Sequence, residues 1–333
     1  MTDFQPVAQV RQAVRLLLDS ASVSERLGVA VSGGADSLAL AAAAAHVAGR
    51  SGLTVHGLVV DHQLQAESAT VAEDAAKQLD GLGFDEVRVL TVSVGGRGGP
   101  EAAARAARYE ALRTALPDTL ILLGHTRDDQ AETVLLGLGR GSGPRSIAGM
   151  RPLDPPWGRP FLSVPRATTV AACAELGLTP WEDPHNADPA YTRVRLRREV
   201  LPLLEDVLQG GVAPALARTA AQLRDDAEAL DTLASRLLGV ALVEGGLDVA
   251  ALVSEPPALR RRVLRRWLLG TGVTELTDAH LRAADALIGE WRGQGGVWLP
   301  GGLVVGRAHG RLRVTAWEPG EGTGCTATTS PPC

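Results

Sequence analysis

The chain has 333 residues, of which 45% are hydrophobic, and a formal net charge of −5. This length favours two or three domains, and no apolar run reaches the ~18 residues that a membrane span needs. The first residues lack the basic-then-apolar pattern of a signal peptide, so we expect a cytoplasmic protein with no membrane partner. Three scattered cysteines without a Cys-x-x-Cys pair argue against a disulfide framework and a zinc or iron–sulfur site; they are Cys173, Cys325 and Cys333.

Apolar periodicity predicts strands that alternate with helices over the first 140 residues. The predicted strands cover 27–31, 53–60, 86–94 and 119–124, and the predicted helices cover 5–20, 36–47, 66–82, 101–116 and 128–138. This alternation indicates an α/β fold with a doubly wound parallel sheet. Ligands of such sheets lie beyond the carboxyl ends of the strands. We therefore expect the loops 32–37, 61–64 and 124–132 to face one crevice.

The loop after the first strand reads Ser32-Gly33-Gly34-Ala35-Asp36-Ser37. Its glycines permit a tight turn, and the N-terminus of the following helix favours an anion, to which the two serine hydroxyls can donate. Asp36 beside phosphates makes sense if a cation such as Mg²⁺ lies between them. The loop has neither the lysine of a Walker loop nor the third glycine of a dinucleotide loop. The alternative is an ordinary strand–turn–helix corner with a polar cap.

The loop at 124–133 reads Gly-His-Thr-Arg-Asp-Asp-Gln-Ala-Glu-Thr. Asp128, Asp129 and Glu132 crowd the first turn of a predicted helix, where carboxylates complement the helix dipole. This is an ordinary capping pattern. Three acidic side chains near a nucleotide could instead hold a metal or a cationic substrate, and the residues alone leave both interpretations open.

Several motifs in this half of the chain together resemble one family. The Ser-Gly-Gly-x-Asp-Ser loop resembles the pyrophosphate loop of the N-type ATP pyrophosphatases, the PP-loop superfamily, whose fold is adenine nucleotide α-hydrolase-like. Together with Gly-His-x-x-Asp-Asp-Gln-x-Glu-Thr it resembles the tRNA(Ile)-lysidine synthetase family. Gln65 and Val194 depart from that family's usual arginine and asparagine. Further segments resemble the family in the expected order, at 60–64, 101–109, 140–143, 159–162, 181–186 and 191–197.

The resemblance implies an ATP-dependent, AMP-forming ligase. In the family, the C2 oxygen of the wobble cytidine in an isoleucine tRNA with a CAU anticodon is adenylated, and free L-lysine then displaces AMP to give lysidine. The implied ATP-binding residues are Ser32, Gly33, Gly34, Ala35, Asp36, Ser37 and His125, with Asp36 also holding Mg²⁺. The implied catalytic residues are Asp36, Arg105, Asp129 and Glu132, and the candidates to contact lysine or cytidine are Arg108, Asp128, Asp129 and Glu132. Surface salt bridges are an equal alternative for Arg105 and Arg108.

The expected domains are a PP-loop catalytic domain over 1–205, a helical linker over 206–250 and a smaller C-terminal α/β substrate-binding domain over 251–317. The Gly/Thr/Ser/Pro-rich end, 318–333, is expected to be disordered. Helices are predicted over 212–238, 256–269 and 278–291, followed by an extended region over 297–314.

Two arginine clusters are candidates to contact the tRNA backbone, although solvated helix faces are the commoner reason for such runs. The candidates are Arg193, Arg197, Arg261, Arg262 and Arg265. The sequence does not indicate the oligomeric state and leaves a homodimer open.

Three alternative functions remain. A tRNA thiolase on the same loop would need reactive cysteines, and we expect none near the predicted crevice. A synthetase linked to an amidotransferase would need a glutaminase nucleophile, and none is visible. A non-catalytic protein that binds tRNA or nucleotide is the third.

Overall fold

The computed structural model describes residues 5–23, 25–61, 63, 68–92, 100–141, 143–184 and 188–317. Its contacts divide the chain into two compact units, residues 1–223 and 224–333, with the boundary inside one long helix. The domain limits expected at 205 and 250 therefore stay predictions, and both Gln65 and the 318–333 tail lie outside the described ranges. No single helix in these ranges is long and apolar enough to span a membrane, although one bent pair, 192–207 with 212–241, meets that test jointly.

The first unit alternates strands and helices as predicted. Its strands are β1 (Arg26–Val31), β2 (Thr54–Asp61), β3 (Glu86–Thr91), β4 (Ile121–Leu122), β5 (Leu153–Asp154) and β6 (Trp157–Gly158). Its helices are α1 (Pro6–Ala21), α2 (Ala35–Ser51), α3 (Ser68–Gly81), α4 (Pro100–Ala115), α5 (Arg127–Gly139), α6 (Pro144–Ile147), α7 (Arg166–Glu175), α8 (Thr192–Arg195) and α9 (Leu201–Val207). A 3₁₀ turn covers Pro160–Ser163, and a π-helical turn covers Leu196–Val200.

The strands form one sheet in the order β3-β2-β1-β4-β6-β5, parallel except for the β5–β6 pair. Alternate strand residues enter two cores. Leu58 and Ile121 pack with Leu112 of α4, whereas Val59 and Leu122 join the core that includes α1, α2 and α7. Helices thus cover both faces, which confirms the predicted doubly wound parallel sheet.

The element limits differ from the predicted ones where local signals are weak. The helix predicted to end at residue 47 continues to Ser51, because its C-cap is Gly52, with φ 69° and an N–H that donates to the Ala48 carbonyl. β4 has two residues instead of six, and β5 and β6 were not predicted at all. Two-residue strands carry no detectable periodicity, so the sequence gives no sign of them.

The second unit is a sheet covered by helices. It comprises the C-terminal part of α10 (Val212–Ala241), the helices α11 (Pro257–Gly270) and α12 (Asp278–Gly289), and the strands β7 (Leu242–Val243), β8 (Gly246–Asp248), β9 (Val297–Leu299), β10 (Leu303–Ala308) and β11 (Arg311–Ala316). The antiparallel strand order is β7-β8-β11-β10-β9. Leu264 of α11, Ile288 of α12 and Leu312 of β11 share its core. The helix predicted to reach residue 291 ends at Gly289, and Gln294 Nε2 caps its last turn by donating to the Ala286 carbonyl, 3.1 Å away.

Candidate active site

The loop between β1 and α2 forms a closed turn. Gly33 has φ 81°, a conformation that glycine adopts without strain, and Gly34 is the N-cap of α2. The Ser37 hydroxyl accepts from the Ser32 N–H at 3.1 Å and donates to the Gly34 carbonyl at 2.8 Å. The turn therefore presents the first N–H groups of α2, which have no partner within the helix, to the end of the sheet.

The loop after β4 touches this turn directly. A Cβ on Gly124 would lie 3.0 Å from the Asp36 carbonyl oxygen and 3.2 Å from Ser37 Cα. Only glycine permits such close backbone approach, so Gly124 sets the distance between the loop 32–37, called the phosphate turn below, and the acidic loop. This contact brings together the two motifs that the sequence separates by almost 90 residues.

Arg166, the first residue of α7, joins the two loops through its guanidinium. Its Nε donates to Asp36 Oδ2 at 3.0 Å, and its Nη2 donates to Asp129 Oδ1 at 2.8 Å. Its backbone N–H donates to Asp128 Oδ2 at 2.8 Å. The Thr169 hydroxyl, one turn further along α7, donates to Asp36 Oδ1. One cation thus balances two carboxylates on different loops.

Asp36 and Asp129 differ in acidity although they share this partner. Burial raises the pKa of Asp36 above its usual value, and this outweighs the opposing effects of Arg166 and Thr169. Burial would also raise the pKa of Asp129, but Arg166 and the Thr126 N–H, 2.8 Å from Oδ2, hold it below its usual value. Asp129 is therefore the more firmly ionised of the two.

Glu132 lies behind this pair, within the protein. Its side chain is fully buried, and its Oε1 accepts from Arg197 Nε at 2.7 Å. Arg193 Nη1 is 3.6 Å from the other carboxylate oxygen. Burial raises the pKa of Glu132, although Arg197 opposes that shift. Glu132 therefore anchors two of the predicted tRNA-contacting arginines.

His125 and Arg108 extend the site on the side of the acidic loop. Burial lowers the pKa of His125 to about 3, so its imidazole is neutral at physiological pH. Its Nδ1 is buried and has no hydrogen-bond partner among the described residues. Burial also lowers the pKa of Arg108. Arg105 is exposed and donates to the Tyr109 hydroxyl at 3.0 Å, so the two predicted arginines occupy different environments.

A cleft of about 1020 Å³ connects these residues. The predicted site residues that line it are Ser32, Gly34, Ala35, Asp36, Ser37, Arg108, His125, Asp129 and Arg197. The predicted residues of the first unit that do not line it are Gly33, Arg105, Asp128, Glu132 and Arg193. Arg166, Asp61, Cys173, Trp181 and Arg198 also line it, although none of them was predicted as a site residue.

Arg166 and Thr169 are the main residues that sequence reasoning missed. They come about 130 residues after Asp36, outside the motifs that carry the resemblance. One local signal existed, because a basic residue in the first turn of a helix opposes the helix dipole. An arginine at that position predicts acidic partners from elsewhere in the chain, and here these are Asp36, Asp128 and Asp129.

The arginines of α11 have partners within their own unit. Arg262 Nε lies 3.2 Å from Asp231 Oδ1, and Arg265 Nη1 donates to the Leu276 carbonyl at 3.5 Å. Arg261 Nε donates to the Pro257 carbonyl at 3.1 Å. Arg262 and Arg265 are both partly buried, so they do not lie on a freely solvated face, and their contacts are those of packing within the unit.

The described residues contain no cluster of three or more His, Cys, Asp or Glu side chains placed to hold a metal. Mg²⁺ in nucleotide sites is commonly bound through one or two carboxylates together with substrate phosphates. Asp36 and Asp129, which meet at Arg166 within the cleft, supply that smaller donor set. The residues therefore fit a magnesium ion delivered with a nucleotide better than a resident metal.

Comparison with known proteins agrees with this geometry. A family model described as a PP-loop domain matches residues 6–204, and one described as the TilS substrate binding domain matches residues 247–313. The chain is thus a member of the PP-loop class of ATP-utilising proteins. A solved U34-tRNA thiolase NcsA from Methanococcus maripaludis with its 4Fe-4S cluster shares the fold, with a TM-score of 0.55 and 17% identity over 66% of this chain and 79% of that chain.

Full-length relatives identify the family within this class. The chain is 58% identical to a tRNA(Ile)-lysidine synthase of Rhodococcus erythropolis strain PR4, over 91% of this chain and 94% of that protein. It is 59% identical to that of Nocardia farcinica, over 86% and 90%, and 56% identical to that of Mycobacterium tuberculosis H37Rv, over 92% and 96%. The chain belongs to the tRNA(Ile)-lysidine synthase family.

Proposed function

We propose that this chain is an ATP-dependent, AMP-forming ligase that joins free L-lysine to C2 of the wobble cytidine in an isoleucine tRNA with a CAU anticodon. Family membership supports the reaction. The observation that carries the assignment of residues is the bridge from Asp36 through Arg166 to Asp129, which places the phosphate turn and an ionised carboxylate in one cleft.

The first step activates the cytidine. A ring carbonyl oxygen leaves poorly, whereas the same oxygen bonded to the α-phosphate of ATP leaves with AMP. The C2 oxygen attacks the α-phosphorus, and the bond to diphosphate breaks. The N–H groups at the start of α2 and the Ser32 hydroxyl are the donors placed to receive the negative charge that develops on the phosphates. The Ser37 hydroxyl donates to the Gly34 carbonyl and so holds the turn in shape.

Asp36 is the residue we assign to Mg²⁺, with Asp129 as a second carboxylate within reach of the same guanidinium. The ion would supply charge neutralisation for the diphosphate that leaves. Thr169 fixes the orientation of the Asp36 carboxylate. Arg166 balances the charge of that carboxylate, which would otherwise be costly to bury.

The second step needs an amine that is oriented and then deprotonated. We assign orientation of the lysine ammonium to Asp129, because it is firmly ionised and is the one member of the acidic trio that lines the cleft. Asp128 and Glu132 act indirectly, because Asp128 positions Arg166 and Glu132 positions Arg197. Only the neutral amine attacks C2, so the rate of this step rises with pH towards the pKa of the lysine amine.

The tRNA must present its cytidine out of the base stack to reach this cleft. We assign the contact with the tRNA to Arg197, because it lines the cleft. Arg193 supports Arg197 indirectly, through Glu132, which both arginines contact. Since tRNA is the proposed substrate, we place the protein in the cytoplasm. A homodimer is retained as a proposal that light scattering of the purified chain tests.

A thiolase function is disfavoured by the chemistry of Cys173. The expectation that no cysteine lies near the crevice is wrong, because Cys173 lines the cleft. Its side chain is buried, however, and its thiol donates to the Ala35 carbonyl at 3.3 Å. Burial raises its pKa to about 11, so almost no thiolate is present at pH 7. A cysteine that transfers sulfur has to be a thiolate. Cys325 and Cys333 lie outside the described residues.

The decisive experiment measures diphosphate release from ATP together with transfer of radiolabelled lysine to RNA. The substrate is an isoleucine tRNA transcript with a CAU anticodon, and the matched control is the same transcript with uridine in place of the wobble cytidine. We expect release and labelling with the first transcript only. Release without labelling would retain adenylation but reject lysine as the nucleophile, and release independent of RNA would reject the proposed substrate.

A further inference from the structure

The sheet of the second unit has an exposed row of side chains on β11. Arg311, Arg313 and Thr315 are exposed, whereas Leu312 between them is fully buried in the core. Successive strand residues point to opposite faces, so these three and Trp317 form a row on the face that points away from the core. At about 3.3 Å per residue the row is about 20 Å long.

Two tryptophans meet at one end of this row. The rings of Trp298 on β9 and Trp317 have centroids 5.2 Å apart, and each side chain is 48% exposed. The strand register places Trp298 opposite Val304 and Val304 opposite Thr315, which puts all of them on the same face. Adjacent tryptophans left half in solvent are typical of a surface that binds a partner.

The middle of this face is flat. The intervening residues of β10 on this side are small, namely Val304, Gly306 and Ala308. A Cβ on Gly306 would meet no described atom closer than Gly296 Cα, at 4.0 Å, so the space above it is open. A planar ring could therefore lie against the strands between the tryptophans and the arginines.

The charge on the face is positive. Arg311 and Arg313 contribute two positive charges, and Asp248 of β8, opposite Arg311 in the register, contributes a negative one. Asp248 Oδ1 also accepts the Ala250 N–H at 3.0 Å, which ties it to its own turn. Arg313 is opposite Gly306, so its guanidinium meets no cross-strand side chain there.

We propose that this surface, the tryptophan face (Trp298, Val304, Gly306, Arg311, Arg313, Thr315 and Trp317), binds unpaired nucleotides of the tRNA substrate. Bases stack on Trp298 and Trp317, and Arg313 neutralises a phosphate of the same strand. Sheet-based RNA-binding modules stack two or three bases in this way, and stacking suits any base. The inference rests on the proposed function and assigns a tRNA contact that the α11 arginines, held in packing contacts, are poorly placed to make.

RNA fits this face better than a second copy of the chain does. A two-fold contact through the face would enclose four arginine side chains in one interface, Arg311 and Arg313 from each copy, and like charges gathered in an interface oppose association. A polyanion with aromatic bases matches both the charge and the rings.

The test compares tRNA affinity, by filter binding, between the wild type and the double variant Trp298→Ala/Trp317→Ala. We expect the dissociation constant to rise between about 5-fold and 150-fold for each stacked base lost, with the KM for ATP unchanged. Trp291→Ala is the matched control, because that ring lies under Arg307, 4.9 Å from its centroid and on the core side of the sheet. Phenylalanine at 298 and 317 keeps a ring and should retain most of the affinity.

A second variant tests the charge on the face. Arg313→Gln should reduce the slope of log affinity against log salt concentration by about 1. Arg282→Gln, on α12 and paired with Asp278, should leave that slope unchanged. This pair of variants keeps the proposal testable if the alanine double variant does not fold.

The outcomes separate this inference from the proposed function. Wild-type protein without tRNA-dependent diphosphate release would refute the function itself. Active wild type with unchanged tRNA affinity in both Trp298→Ala/Trp317→Ala and Arg313→Gln would refute the tryptophan face. A double variant that turns a dimer into a monomer in light scattering, with tRNA affinity unchanged, would make this face an interface between copies and would also refute the inference.

Discussion

Replacing Arg166 with methionine should destabilise the first unit strongly, because it leaves two carboxylates without their shared cation. The two ion pairs have N–O distances of 3.0 and 2.8 Å, and the side chains of Arg166, Asp36 and Asp129 are 25%, 23% and 14% exposed. Removing one partner of a fully buried pair costs about 3–5 kcal/mol. Solvent screens part of this interaction, so we expect a loss of about 2–3 kcal/mol in the free energy of unfolding.

The assay is equilibrium urea unfolding of the full chain. Hydrogen-exchange mass spectrometry of peptides from α2 and α7 separates the transition of the first unit from that of the second. Arg140→Met is the matched control, because Arg140 is exposed, and it should change the unfolding free energy by less than about 0.5 kcal/mol. Arg166→Lys keeps the charge but cannot donate to both carboxylates in the same geometry, so its loss of unfolding free energy should lie between those of Arg166→Met and Arg140→Met.

A double-mutant cycle with Asp36→Asn isolates the interaction itself. Since the two residues are in direct contact, we expect a coupling energy of about 1–2 kcal/mol. A coupling energy under about 0.5 kcal/mol, with additive single effects, would show that Arg166 and Asp36 are neighbours without a significant interaction. The assignment of Arg166 as the balancing cation would then be wrong.

Four further predictions concern chemistry and stability. Asp36→Asn should lower tRNA-dependent diphosphate release by about 100-fold or more while tRNA binding persists, and an unchanged rate would remove Asp36 from the mechanism. Cys173→Ala should retain lysine ligation, since its thiol is protonated; loss of activity in a folded variant would revive sulfur chemistry. Arg262→Gln should cost about 1–2 kcal/mol of unfolding free energy through its pair with Asp231, whereas Arg261→Gln should cost less than about 0.5, and equal losses in urea unfolding would contradict the packing role. The raised pKa of Glu132 adds stability that is present below about pH 4.5 and is lost as pH rises through its folded-state pKa. Glu132→Gln lacks that loss, so the unfolding free energy of the variant should improve relative to the wild type as pH rises. A relative change in the opposite direction would refute the assigned shift.

The alternation of strands and helices could be predicted because long elements carry a clear apolar period. β1 and β2 pair in parallel as expected, and α2 follows the glycine turn. The β5–β6 hairpin was missed because two residues per strand provide no period to detect. The length of the neighbouring strand β4 was overestimated, although backbone hydrogen bonds at Leu120 and Leu123 extend its pairing beyond the two residues assigned to it.

The site was predictable where one segment carries its own chemistry and not where distant segments combine. The turn containing Asp36 and the loop containing Asp129 each show donors and carboxylates locally. Arg166 reaches them only because α7 packs beside α2, a relation that no local pattern encodes. Conversely, Arg262 reads as a solvent-facing cation until the fold supplies Asp231 as its partner. The composition gives the number of charged residues but does not show which of them form ion pairs inside the fold.

The contact at Gly124 has a consequence for the order in which substrates bind. Because its backbone lies against Asp36 and Ser37, the two loops cannot come closer together, and the Arg166 guanidinium ties them to each other. The separation between the phosphate turn and Asp129 is therefore fixed before either ligand arrives, and neither ligand needs to spend binding energy on bringing the loops together. Movement of these loops should then contribute little to the thermodynamic coupling between ATP and lysine, and the coupling that remains should come from the charge that Asp36 and Asp129 share through Arg166.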